Sequence, residues 1–63
     1  MDINVTLTLD DTVDLLSSVI LVERECRLEL DKSIERDNRG SEEFWRYRLD
    51  RLQRLHARLM AAL

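Results

Sequence analysis

The chain has 63 residues, of which 37% are charged and 44% hydrophobic, with a net charge of −3, one cysteine and one histidine. A chain this short buries only about 60% of the surface its unfolded form exposes, and one small core seldom supplies more than roughly 3–5 kcal/mol. Cys26 alone excludes an internal disulfide, and Cys26 with His56 falls short of the usual ligand set of a structural zinc site. Oligomerisation remains as the means of stabilisation, and neither a metal nor a cofactor is expected.

The aliphatic content is too high for an obligatorily disordered segment. The longest aliphatic run, Val19-Ile20-Leu21-Val22, is far from the roughly 20 residues of a membrane span, so no membrane partner is expected. Met1-Asp2-Ile3-Asn4 lacks the basic start of a secretory signal. These features predict a cytoplasmic protein with a reduced thiol. Charge is uneven: residues 1–38 carry ten acids and four bases, and residues 39–63 three acids and six bases. Antiparallel helices of opposite sign attract each other and their copies.

Residues 3–9 alternate apolar Ile3, Val5, Leu7 and Leu9 with Asn4, Thr6 and Thr8. Period two with β-branched residues predicts a strand over about 3–8. A second copy would have to pair with it, or the segment lies extended along the helices. Thr8-Leu9-Asp10-Asp11 then supplies a helix-start pattern with acids at the positive helix end. A first helix is predicted over about 10–37, with Leu15, Leu16, Val19, Ile20, Val22, Cys26, Leu30 and Ile34 on one broad arc.

Asn38 and Gly40 are residues that tolerate a left-handed stop, and Ser41-Glu42-Glu43 reads as a cap with an acidic first turn. The turn is therefore placed at 38–41 and a second helix at about 42–62. Its apolar arc holds Phe44, Trp45, Leu49, Leu52, Leu55, Leu59, Ala62 and Leu63. With the bend centred near residue 39, Ile34 falls near Phe44, Cys26 near Leu52, Val19 near Leu59 and Leu16 near Leu63. Apolar meets apolar throughout. The fold class that follows is all-α: a single domain, 1–63, forming an antiparallel two-helix hairpin with a short N-terminal β-strand, assembled into a homo-oligomeric helical bundle.

Glu23 lies in the middle of the first apolar arc, where a carboxylate needs a partner or a proton. Pairing across the hairpin puts it opposite Leu55 and His56, which predicts a Glu23–His56 pair, with Arg48 as the other candidate partner. A polar pair that fixes helix register is the simplest role. One Glu with one His offers acid–base chemistry without a nucleophile, metal or oxyanion donor, so no catalytic residue is assigned. Cys26 reads as a small core residue.

Leu21 and Leu28, seven residues apart, form a second narrow ridge away from the main arc. Together with Val5, Leu7, Leu52 and Leu59 they are the candidate oligomer contacts. Tyr47, Arg51, Arg54 and Arg58 form a basic stripe with one aromatic on the second helix. Such a stripe is either a solvated face paired with Asp50, Glu43 and the acids of the first helix, or a place to hold phosphate and stack a base. The acidic N-terminal half opposes duplex DNA as a partner. Phe44 and Trp45 are expected to close the core over Ile34 and Leu30; an exposed Trp45 would instead mark a partner contact.

Val5-Thr6-Leu7-Thr8-Leu9-Asp10-Asp11 resembles the opening of ribbon-helix-helix repressors, whose paired N-terminal strands read operator DNA. The remainder departs from that family: the apolar period runs unbroken through Cys26 and Leu30, and no Lys or Arg precedes Arg24. Over most of its length the chain resembles short uncharacterised proteins of bacteriophages and their hosts, with a strand-like start, an acidic cap, a long helix, a polar turn and a second helix opening like Glu43-Phe44-Trp45. That resemblance implies a small accessory protein. The expectation is a non-enzymatic binding protein, a phage-type accessory or anti-defence factor that inhibits a host protein by direct contact. The alternative is an oligomeric sponge that sequesters a cyclic nucleotide at a subunit interface through Tyr47 and the arginines.

Overall fold

Two helices and one tight bend account for nearly all of residues 4–63, the part of the chain that the computed structural model describes. Helix α1 spans Leu9–Glu35 and helix α2 spans Arg39–Ala61, packed as a hairpin. Thr8 caps α1 with a reciprocal box: its hydroxyl accepts from Asp11 N–H at 3.1 Å, and its own N–H donates to Asp11 Oδ2 at 3.2 Å. Two otherwise orphaned amides are satisfied, and Asp10 and Asp11 sit against the positive helix end.

Residues 4–8 form no strand, which corrects the strand expected over 3–8; Ile3 lies outside the described residues. The physical reason is that a strand needs a partner to hydrogen-bond, and one hairpin of helices offers none. Val5 and Leu7 are exposed.

The bend is tighter than the predicted turn at 38–41 and lies earlier in the chain. Arg36 ends α1, Asp37 takes the left-handed conformation at φ 53°, and Asn38 caps α2 by accepting from Ser41 N–H at 3.1 Å. Asp37 N–H donates to the Ile34 carbonyl and Asn38 N–H to that of Ser33, which completes the end of α1. Gly40 is therefore not the stopping residue. It lies in the first turn of α2, does not have positive φ, and a methyl group added there would meet Asn38 Oδ1 at an ordinary 3.8 Å.

Among the described residues the buried apolar side chains are Val19, Cys26 and Leu59, and three polar ones, Thr12, Glu23 and Ser33, are buried beside them. Leu52 is half-buried. Phe44 (56% exposed) and Ile34 (47%) do not cover each other, contrary to the expected closure of the core at the bend. With the turn at Asp37, the residue facing α1 beside Ile34 is Ser41, which leaves Phe44 on the outer flank of α2. The molecule is a layer one helix thick, 42 × 25 × 13 Å, against a helix diameter of about 10–12 Å.

Two substitutions test this bend. Gly40→Ala is expected to raise the free energy of unfolding by about 0.5–1 kcal/mol, as for a glycine in an ordinary helical position. Asp37→Val, which puts a β-branched residue at positive φ, is expected to lower it by about 1–2 kcal/mol. Urea denaturation followed by circular dichroism measures both. The reverse order of effects would return the left-handed position to Gly40.

Candidate functional site: a polar seam and an arginine groove

The two helices meet along a seam in which polar contacts alternate with apolar ones. Near the bend the Ser33 and Ser41 hydroxyls are 2.7 Å apart, and Ser33 also donates to the Glu29 carbonyl at 2.9 Å. Midway, His56 Nδ1 lies 2.8 Å from Glu23 Oε1. Near the open end the Thr12 hydroxyl donates back to the Thr8 carbonyl at 3.0 Å. No buried side-chain oxygen or nitrogen among the described residues lacks a partner.

Glu23 thus reaches His56, 33 positions along the chain, while Arg48 is exposed and makes no ion pair among the described residues. The Glu23 side chain is 11% exposed and that of His56 32%, so the acid is held inside the seam and the imidazole reaches its edge. In such surroundings the bond serves chiefly to satisfy Glu23, because an unpartnered carboxylate there would lose its hydration for nothing. The angular phase of Glu23 leads to this pair from the sequence. The Ser33–Ser41 contact was not anticipated, since Ser41 read as a helix cap; its signal is that Ser33 shares the helical face of Cys26 beside the bend.

The basic stripe is gathered into one open groove along α2. Phe44, Tyr47, Arg48, Arg51, Leu52, Arg54, Leu55 and Arg58 line about 620 Å³ of it. The Arg51 guanidinium lies 5.8 Å from the centre of the Tyr47 ring, within cation–π range, and Arg54 is held by Asp50 at 2.9 Å. A second groove of about 520 Å³ crosses between the helices, lined by Val22, Glu25, Cys26, Leu28, Glu29, Lys32, Trp45 and Arg48. Arg48 borders both grooves, so they adjoin on one side of the layer. Trp45 is half-buried there, with its ring edge-on to Phe44 at 4.9 Å and 81°.

Charge pairing stays within each helix. The Lys32–Glu29, Arg46–Glu42 and Arg54–Asp50 pairs are all three or four residues apart, and His56–Glu23 is the one contact of this type between helices among the described residues. The acidic excess of α1 and the basic excess of α2 are consequently not used up against each other. Of the expected oligomer contacts, Leu59 and Leu52 are engaged within the hairpin, whereas Val5, Leu7, Leu21 and Leu28 are exposed. No cluster of three or more His, Cys, Asp or Glu residues among the described ones is arranged to hold a metal ion. No helix among them is long and apolar enough to cross a membrane. In comparisons with known families, curated proteins and solved structures, the chain matches none of them.

Removing one member of the seam pair tests its role. His56→Ala is expected to destabilise the protein by about 1–3 kcal/mol, because Glu23 is left buried without its bond. Replacing both, Glu23→Leu with His56→Leu, is expected to recover most of that loss, since an apolar pair of similar bulk suits the same space. Denaturant titration of the single and double variants supplies the comparison. Equal losses in both would mean that the pair contributes something other than mutual satisfaction.

Proposed function

We propose that this chain is a non-enzymatic interaction protein that assembles with copies of itself and inhibits a host protein by direct contact, as an accessory or anti-defence factor of the phage type. The observation that carries the reading is the apolar surface outside the hairpin. Leu21 and Leu28 stand two helical turns apart on α1, 59% and 56% exposed, with Leu28 also bordering the second groove, and the arginine groove adds Phe44 and Leu55. Single exposed leucines are ordinary, but apolar ridges on more than one side of so small a chain favour protein contacts. A second reading, a sponge for a cyclic nucleotide, draws on the groove that brings Tyr47, Arg51, Arg54 and Arg58 together.

Affinity capture from a lysate of the host separates the two. The inhibitor reading expects a host protein that is recovered with the wild type and lost with Leu21→Lys/Leu28→Lys, a variant expected to keep its helical content because both side chains lie outside the seam. Recovery of the bait alone counts against it. The sponge reading instead expects heat on calorimetric titration with a cyclic dinucleotide, abolished in Arg51→Ala/Arg54→Ala; a panel of nucleotides without heat excludes it.

A further inference from the structure

The grooved side of the layer is charged in a way that a single hairpin does not use. We infer that a second copy of this chain covers it, laid face to face so that the acidic α1 of each copy rests on the arginine groove of the other's α2. This rests on the reading of the chain as a self-assembling interaction protein and adds which face, which partner helix and which charges.

The area requires a cover of about this size. A compact monomer of 7.5 kDa would expose about 4,200 Å² by the usual scaling, whereas this chain exposes 5489 Å². Its radius of gyration is 14.0 Å where about 11 Å is usual for this length. A standard stable interface covers about 800 Å² on each partner, which is smaller than that excess.

Charge then selects the arrangement. Two identical two-helix layers can meet face to face about a two-fold axis running across the helices or along them. An axis across them sets α2 on α2 and therefore Arg48 and Arg51 against their own copies. An axis along them sets α1 on α2. The Glu23–His56 contact fixes the levels: counting from it in an antiparallel pair, Glu25 is level with Arg54 and Glu29 with Asp50. A second copy's Glu29, which already holds its own Lys32, then lies within one turn of Arg48 and Arg51, and its Glu25 within one turn of Arg51; neither arginine has an acid partner among the described residues. Glu25 and Glu29 border the groove that Arg48 shares. Between these rims Phe44, Leu55 and Val22 supply the apolar floor, and the product is a four-helix bundle with antiparallel neighbours.

Isothermal dilution calorimetry measures the self-association constant of the wild type and of three variants. Arg48→Glu/Arg51→Glu and Glu25→Arg/Glu29→Arg are each expected to weaken association about tenfold or more, because like charges then face each other twice per dimer. The variant carrying all four changes is expected to return to within about threefold of the wild type, which separates charge pairing from damage to the fold. Pair variants that associate as well as the wild type overturn the proposal, since an α2-on-α2 arrangement leaves their repulsion unchanged. A fourfold variant as weak as the pairs, or a wild type that does not associate, overturns it too. Host-protein capture is read separately with Leu21→Lys alone, because Leu28 borders the covered groove, and it can persist when this arrangement fails.

Discussion

The hydrogen bond between Glu23 and His56 is the contact on which the arrangement of the hairpin turns. It joins the middle of α1 to the C-terminal third of α2 at 2.8 Å, and it is the one side-chain ion-type contact between the helices among the described residues. An apolar seam of leucines and valines tolerates sliding by a turn, because one apolar residue replaces another. A carboxylate in the same seam resists such sliding, because a shift of one turn carries it away from His56. The Ser33–Ser41 contact at 2.7 Å is a second polar link between the helices, near the bend. Together the two polar contacts set the relative height of every side chain on the two helices.

That fixed register organises a core that is incomplete. Val19, Cys26 and Leu59 are buried, but an equal number of buried positions is polar, and apolar residues such as Ile20 and Leu55 remain exposed on either flank of the seam. The geometry makes this unavoidable: each helix carries a broad apolar arc, and a single neighbouring helix covers only its centre. A helix pair of this kind leaves the flanks of both arcs uncovered. Polar seam contacts and apolar flanks divide the work, the first specifying how one chain folds and the second leaving surface for something else to cover.

The sequence exposes this division unevenly. Helical phase is robust, because Glu23, Val19 and Cys26 keep their angular positions whether a helix begins at residue 9 or 10, so the pairing of Glu23 with His56 is readable without coordinates. Turn chemistry is less so. Gly40 attracts attention as the lone glycine, yet aspartate also tolerates the left-handed region, and Asp37 occupies it while Gly40 lies within α2. That shift leaves Phe44 outside the core, since burial near a bend depends on where the bend falls. The alternation from Ile3 to Leu9 suggests a strand, but pairing is a property of two segments, and the described chain offers one. Surface function lies further from view: the arginines on α2 can be read as a stripe, but not which molecule they meet.

If a second copy completes the hairpin, as we infer, the mass in solution is at least that of two chains. Sedimentation equilibrium of the wild-type chain, over loading concentrations from low to high micromolar, tests it most directly. The expected mass is at least twice the 7.5 kDa of one chain, falling toward one chain only on dilution. A helical, cooperatively folded species that stays at the single-chain mass throughout that range would contradict it.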